Sequence, residues 1–204
     1  MSPFDSEINE KHSGCMDIRY NIEFFSNWHC GSGLAAGADV DSLVVKTPDG
    51  LPYVPGRTLK GLLRDAACEL NGCGTDEASV SAGADKIAEV FGCGDEKAVA
   101  SGQERTGCAF FGNATLPEGK TITANKLTPY LFQTFSSTAI DEDGIARDNT
   151  LRKIETVVPC TLEGTIRNVP EECVDLLEMA ARMVKRMGTG RNRGYGRCCI
   201  TIVR

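Results

Sequence analysis

Alternating apolar and polar residues predict strands near both ends of the chain. Over 16–25, every second residue is apolar, as one buried face of a strand requires: Ile18, Tyr20, Ile22 and Phe24. A similar apolar segment, 198–203, closes the chain. Between these two, the apolar content predicts further strands at 42–46, 106–116 and 159–168.

Apolar residues at helical spacing predict two amphipathic helices. The first spans 58–70, and its apolar stripe comprises Leu59, Leu62, Leu63, Ala66, Ala67 and Leu70. The second spans 171–187, with a stripe of Val174, Leu177, Ala180, Ala181 and Val184. A shorter helix is predicted over 84–91, inside a Gly-, Ala-, Asp- and Ser-rich segment at 71–107 that we interpret as an insertion.

The order of the elements predicts the fold class. Strand, helix, strands, helix and strand in succession are typical of an α+β protein with a ferredoxin-like sandwich that carries insertions. The polar, threonine-rich segment at 121–158 is predicted to form an extended hairpin or a mobile loop. The length of 204 residues allows one domain with embellishments or two small domains.

Composition indicates the cellular compartment of the protein. The chain is 41% hydrophobic and 25% charged, which is ordinary for a folded globular protein. No apolar run has the length that a bilayer requires, and the polar first 14 residues do not resemble a signal peptide. We therefore expect a cytoplasmic protein that does not enter a membrane.

Charge is distributed unevenly along the chain. The net charge is −6, yet residues 182–204 carry seven basic residues and no acidic one. Residues 65–104 show the opposite bias, with nine acidic and two basic residues. This asymmetry indicates a local anion-binding surface on an otherwise acidic protein.

The strongest chemical signal is the Gly-rich loop, which we define as residues 188–197. Its glycines allow the backbone to approach a ligand closely, and its arginines suit phosphate oxygens. Glycine-rich turns are also common as plain connections, but three arginines within seven residues on an acidic protein favour binding to a phosphate backbone, above all that of RNA. The candidate RNA-binding residues of the loop are Gly190, Arg191, Arg193, Gly194, Tyr195 and Arg197, with Tyr195 expected to stack on a base or ribose.

A second basic group lies at the start of the first predicted helix. Lys60 and Arg64 are four residues apart and share a face, and Arg57 precedes them at the helix entrance. Three basic residues beside a positively polarised helix N-terminus predict a phosphate contact. The alternative is an ordinary solvated basic face.

Several segments together resemble the CRISPR-associated RAMP superfamily. The sequence PGRTLKGLLR at 55–64 resembles the helix motif of that family, and the Gly-rich loop resembles its C-terminal signature. The segments at 27–33, 41–46 and 90–92 are similar to further family motifs in the same order. The resemblance is greatest to the repeated backbone subunit of type III effector complexes.

The resemblance implies a fold and a set of partners. It implies a single RAMP domain over 1–204, with a modified RNA-recognition-motif-like sandwich and a thumb hairpin at 121–158. Copies of such subunits stack into a filament along a guide RNA, beside other effector subunits, and their thumbs interrupt the duplex between guide and target RNA. In the family an aspartate before the apolar strand is needed to cleave target RNA, and Asp41 matches that position.

The expected cleavage needs help for the ribose 2′-hydroxyl as it attacks the adjacent phosphate. Asp41 would act as a general base or as a ligand of Mg²⁺, and His29 would carry a proton. Asp39 is the rival for the acidic role. The alternative is that both aspartates cap a loop and that His29 packs structurally.

Four of the ten cysteines are candidates for a structural zinc site. Cys68, Cys73, Cys93 and Cys108 flank or lie within the insertion, and four thiolates form a closed tetrahedral site. Cys108 could instead be a buried strand residue, with His12 or His29 replacing it as a ligand. The other six are interpreted as small buried residues: Cys15, Cys30, Cys160, Cys173, Cys198 and Cys199.

Three functions remain open from the sequence. The first is a guide-RNA-binding backbone subunit that cleaves target RNA, and the second is a non-catalytic structural RAMP subunit. The third is a stand-alone guide-processing endoribonuclease, although such enzymes usually carry two ferredoxin-like domains. A metabolic enzyme is disfavoured because no cofactor fingerprint follows any predicted strand.

Overall fold

A computed structural model describes residues 14–36, 40–74, 77–93, 105–118 and 127–203. The named helices and strands follow one another in this order: β1 (Cys15–Phe24), α1 (Gly56–Gly72), α2 (Glu77–Phe91), β2 (Gly92–Cys93), β3 (Arg105–Thr106), β4 (Phe110–Phe111), β5 (Phe132–Ser137), β6 (Arg152–Val157), β7 (Thr161–Pro170), α3 (Val174–Met183) and β8 (Cys198–Val203). Residues 127–131, before β5, are also helical. Single 3₁₀ turns precede α3 and lie within the Gly-rich loop.

The main sheet has four antiparallel strands in the order β4-β7-β1-β8. The central strand β1 pairs with β7 on one side and with β8 on the other, so both of its edges are satisfied. Its side chains alternate as the sequence predicts, because Ile18, Tyr20 and Ile22 are fully buried while Arg19 and Glu23 are exposed. This alternation leaves one face of the sheet apolar.

Helices α1 and α3 pack against each other and supply apolar side chains to the core on this sheet. Leu59 and Leu63 of α1 and Leu177 of α3 are fully buried. Mixed helices and antiparallel strands around one core confirm the predicted α+β class. Among the residues that the structure describes, no helix is both long and apolar enough to cross a membrane.

Strands β5 and β6 form a separate antiparallel hairpin. Most residues from 133 to 149 are exposed, so the hairpin extends away from the core. Its turn is organised by Asp141, whose Oδ1 accepts the N–H groups of Asp143 at 3.1 Å and Ile145 at 2.8 Å. This hairpin occupies the later part of the predicted 121–158 segment, whereas residues 121–126 lie outside the described part of the chain.

The predicted insertion contributes to the core. Helix α2 begins at Glu77, seven residues before the predicted start, and its C-terminal residues Val90 and Phe91 are buried. The Phe91 ring stacks on Phe111 of β4 with 5.5 Å between centroids. Helix α2 also packs against α1.

Two further predicted elements differ from the structure. Helix α3 ends at Met183 rather than at 187, because Val184 turns to an extended conformation and the backbone then pairs with the end of the Gly-rich loop. The amide of Met187 donates to the carbonyl of Gly196 at 2.9 Å, and the amide of Cys198 donates to that of Lys185 at 2.9 Å. The predicted strand at 106–116 is likewise broken into short pairings at 105–106, 110–111 and 114–115.

Two glycines of α1 allow a matched stability test. A Cβ on Gly56 would run into the backbone carbonyls of Phe111 and Gly112, whereas a Cβ on Gly61 would meet open space. We expect Gly56→Ala to lower the free energy of unfolding by about 1–3 kcal/mol through overpacking. Gly61→Ala should raise it by about 0.5–1 kcal/mol because alanine favours the helix. Urea unfolding of both variants checks the two signs, and equal effects would refute the close approach at Gly56.

Candidate nucleic-acid interface

The Gly-rich loop follows a path that its glycines make possible. Its four glycines have φ between 66° and 91°, the left-handed region that other residues rarely adopt. At two of them, space matters as well as conformation. A Cβ on Gly188 would clash with the carbonyl oxygen of His29, and a Cβ on Gly196 would clash with that of Met187. The loop therefore lies directly against the backbone that follows β1.

Backbone hydrogen bonds fix the loop to the segment after β1. The amide of Thr189 donates to the carbonyl of His29 at 2.9 Å, and the amide of Gly196 donates to that of Asn27 at 2.7 Å. The amide of Arg197 donates to Ser26 Oγ at 3.0 Å. Both ends of the loop are thus held, which limits the motion of the residues between them.

The three arginines of the loop are exposed. Arg191 and Arg193 border a concavity of about 420 Å³ that is formed by residues 188–193. Arg193 also borders a smaller cavity of about 240 Å³ that the β5–β6 hairpin completes. Within the described residues, no carboxylate forms an ion pair with these arginines or with Arg197. Their guanidinium groups are therefore available to an anion.

Tyr195 differs from the expectation of a free stacking surface. Its ring is half-buried and contacts Phe135 of β5 edge to face, with 5.6 Å between centroids. Tyr195 thus packs the Gly-rich loop against the hairpin. Sequence reasoning also missed Arg186, whose guanidinium donates to the carbonyl of Arg191 at 2.5 Å and braces the loop.

His29 lies in the interior, with 1% of its surface exposed. Its Nδ1 is 2.6 Å from the carbonyl oxygen of Glu155, and its Nε2 is 3.1 Å from Ser42 Oγ. Because a carbonyl only accepts, Nδ1 donates, and Nε2 of the neutral ring then accepts from the Ser42 hydroxyl. The ring therefore joins three segments and presents no surface to an RNA phosphate.

Asp41 is exposed beside the base of the hairpin. Its Oδ2 accepts the amide of Lys153 in β6 at 2.6 Å, and its own amide donates to the carbonyl of Lys153 at 2.9 Å. These two bonds fix the aspartate to β6 while its side chain still reaches solvent. The rival, Asp39, lies outside the described residues.

Glu155 connects these parts, although no sequence motif points to it. Its Oε2 accepts the amide of Val44 at 3.0 Å, and its Oε1 pairs with Lys46 Nζ at 2.8 Å. Its backbone amide donates to the carbonyl of Ser42 at 3.0 Å, and its carbonyl accepts from His29. Asp41, His29 and the Gly-rich loop are therefore neighbours in the structure.

The basic residues of α1 lie on a different part of the molecule from this group. Arg57 is exposed at the start of α1, where the amide of Gly56 donates to Asn113 Oδ1 at 2.9 Å. Lys60 Nζ lies 6.0 Å from the centroid of the Phe111 ring. Arg64 borders a cavity of about 180 Å³ between α1 and α2. Their predicted RNA contact is not tested by these positions.

The described residues do not bring the four candidate zinc ligands together. Among them, no group of three or more His, Cys, Asp or Glu side chains is arranged to hold a metal ion. Cys68 and Cys93 border the same small cavity between α1 and α2, whereas Cys108 lies near Glu89 and Cys15. Burial and the Glu89 carboxylate raise the pKa of the Cys108 thiol. His12 and residues 94–104 lie outside the described part of the chain.

Sequence comparison identifies one family. The sequence model of the RAMP superfamily matches residues 21–199, which include the end of β1, the helices α1 to α3 and the Gly-rich loop. No curated protein sequence matches the chain.

Structure comparison finds 188 similar chains in solved structures. One belongs to a cryo-EM structure of the Type III-B Cmr-beta complex bound to cognate target RNA. The TM-score is 0.65 at 19% identity, and the match covers 98% of the present chain. The present chain spans 65% of the length of that solved chain. At this identity the likeness shows a shared fold.

The cysteines should separate into two reactivity classes. Burial raises the pKa of Cys30 and Cys198 to about 12 and that of Cys173 to about 11, so these thiols stay protonated near neutrality. Cys68, Cys73 and Cys199 are exposed, which is a correction to the burial predicted for Cys199. We expect iodoacetamide at pH 8 to alkylate the exposed cysteines first, as measured by peptide mass spectrometry.

The same experiment tests the predicted zinc site. Zinc would protect Cys68 and Cys73 from alkylation and would appear as about one metal ion per chain in elemental analysis. Rapid alkylation of both residues in the protein as purified, with only traces of zinc, would refute the four-cysteine site. Protection of Cys30 is the internal control for a folded protein.

Proposed function

The chain belongs to the RAMP superfamily, and we propose that it is a guide-RNA-binding backbone subunit of a cytoplasmic type III CRISPR effector complex that cleaves complementary target RNA. The main support is one arrangement of residues. The Gly-rich loop is bonded to the backbone carbonyl of His29, and the His29 ring is bonded to Ser42, the neighbour of Asp41. The exposed arginines and the exposed Asp41 carboxylate would then contribute to one surface, with groups that suit a phosphate backbone and a group that suits proton transfer.

We assign the main sheet to the ferredoxin-like type. In that fold, two β-α-β units interleave so that the two central strands are the first and the third. The order β4-β7-β1-β8, with α1 and α3 as the two crossover helices, agrees with this pattern. The exposed β5–β6 hairpin is our candidate for the thumb that contacts the guide–target duplex.

Guide binding would rest on the Gly-rich loop. Exposed guanidinium groups pair with phosphate oxygens, and a backbone that is fixed at both ends loses little entropy when RNA binds. The loop contacts the phosphates rather than the bases, which suits a subunit that must accept any guide sequence. Copies of the chain would then follow the guide as a filament.

Cleavage would rest on Asp41. The 2′-oxygen of the target attacks the adjacent phosphorus, its proton passes to a base, and the bond to the 5′-oxygen breaks as that oxygen gains a proton. The second oxygen of the Asp41 carboxylate would accept the proton or contribute to binding Mg²⁺. When bound, Mg²⁺ would stabilise charge on the phosphate. Within the described residues, Asp41 belongs to no group of three or more His, Cys, Asp or Glu side chains that could hold a metal ion. The other ligands of Mg²⁺ would therefore come from RNA or water.

The non-catalytic subunit is the alternative that a specific observation favours. The Asp41 carboxylate already accepts the amide of Lys153 at 2.6 Å, as a residue that only caps the edge of β6 would. In that case its exposure would have no catalytic meaning. A stand-alone guide-processing enzyme gains no comparable support.

Two substitutions of Asp41 separate catalysis from capping. Asp41→Asn keeps an oxygen for the Lys153 amide but cannot take a proton, whereas Asp41→Ala loses both functions. If Asp41 is catalytic, both should slow cleavage of complementary RNA by at least about 100-fold, the low end of general-base contributions. The measurement is single-turnover cleavage by the assembled complex with Mg²⁺. Normal cleavage by Asp41→Asn would assign Asp41 to capping.

The loop arginines should contribute to RNA affinity through their charge. We expect Arg191→Ala combined with Arg193→Ala to weaken guide binding and to reduce the slope of log affinity against log salt by about 1.4, since each single-strand phosphate contact contributes about 0.7. Arg182→Ala is the matched control because Arg182 is exposed on α3, outside the loop. Filter binding over a salt series measures both, and equal slopes for all variants would refute the loop contacts.

A further inference from the structure

Glu155 has an unusual number of polar partners for one residue of a hairpin strand. Both of its carboxylate oxygens and both of its backbone groups are engaged, with the partners Val44, Lys46, Ser42 and His29. Three of these partners belong to the segment at 41–46, which carries Asp41. The fourth is His29, whose backbone carbonyl accepts the amide of Thr189 in the Gly-rich loop.

The surroundings of the Glu155 carboxylate restrain its position. Its side chain is 13% exposed, so it is largely removed from water. A buried carboxylate is costly unless it is paired and hydrogen-bonded, and here the Lys46 ammonium and the Val44 amide satisfy it. Lys46 is itself restrained, because its Nζ lies 4.0 Å from the centroid of the Phe132 ring.

These contacts act together with the Lys153 bonds to set where Asp41 lies relative to the loop. On its other side, the segment at 41–46 is held by isolated bridges and by backbone bonds from Leu43 and Val45 to the segment at 30–34. The Glu155 side chain fastens its second half to β6, and the backbone bond to Ser42 continues directly to Asp41. On the other side, the Nδ1 of His29 links Glu155 to the backbone that carries the Gly-rich loop.

We infer that Glu155 is a positioning residue that sets the Asp41 carboxylate against RNA held by the Gly-rich loop. This inference rests on the proposed function, which makes Asp41 the cleaving residue. Glu155 does not act on RNA itself in this role, because its side chain is only 13% exposed and both of its oxygens already have partners. Misplacing a reacting group by about 1 Å can cost about 100-fold in rate, so a residue with this role matters for cleavage more than for binding.

The test substitution is Glu155→Gln. Glutamine keeps the size of the side chain, but its amide nitrogen must face either the Val44 amide or the Lys46 ammonium, and both are donors. The segment at 41–46 should loosen while the hairpin and the Gly-rich loop stay intact. We expect single-turnover cleavage by the assembled complex to fall about 10- to 100-fold. Guide and target affinities should stay within about 3-fold of the wild type.

A double-substitution cycle shows whether Glu155 acts through Asp41. If it does, Glu155→Gln should slow the wild type but add nothing to the loss already caused by Asp41→Asn. Hydrogen exchange of the full chain should also be faster in the peptide that contains Val44 and unchanged in the Gly-rich loop. Glu171→Gln is the matched control, since Glu171 is an exposed acidic residue that precedes α3.

The outcomes separate the two hypotheses. Normal cleavage by Glu155→Gln, beside a strong loss in Asp41→Ala, would overturn the role of Glu155 and keep the proposed function. A matching loss of guide affinity in Glu155→Gln, or losses that multiply with those of Asp41→Asn, would also overturn it, because Glu155 would then act on binding or independently. Normal cleavage by Asp41→Ala would refute the proposed function and the inference together.

Discussion

The hydrogen bonds of the buried His29 ring constrain the whole of the proposed RNA surface. The ring donates to the backbone carbonyl of Glu155 and accepts from the Ser42 hydroxyl. The backbone carbonyl of His29 accepts the amide of Thr189. A buried polar group that lost such a partner would carry a large desolvation cost, so the three segments are held together rather than merely adjacent. The hairpin, the Asp41 segment and the Gly-rich loop can therefore be treated as one structural unit.

Tight backbone contact complements these polar bonds. At Gly188 and Gly196 the loop lies so close to neighbouring carbonyls that no side chain fits. Glycine is thus required here for space as well as for conformation, and the same property lets the backbone approach a phosphate. The loop has a structural reason for its composition in addition to the proposed RNA contact, and both favour the same residues.

Electrostatics distinguishes this surface from the rest of the molecule. The protein carries a net charge of −6, so RNA would be repelled by most of its surface. Arg191, Arg193 and Arg197 are exposed on the loop and form no ion pair with the described carboxylates. Two acidic residues of the same structural unit have other partners, since Glu155 is paired with Lys46 and Asp41 is bonded to β6. Binding would therefore be local and directed, which suits a subunit that must position one phosphate backbone.

The sequence alone determined the elements whose periodicity has one solution. The alternation over β1, the stripe of α1 and the closing strand β8 were predicted nearly to the residue. Only the tertiary structure decided the end of α3, because Val184 and Met187 are buried and would fit a helical stripe as well as the extended path that they follow. It also decided that His29 lies inside, that Tyr195 contacts Phe135 and that Glu155 joins the segments. The contacts of Glu155 with His29 and Val44, and that of Tyr195 with Phe135, join residues more than 50 positions apart. Local patterns of apolarity carry no information about such partners.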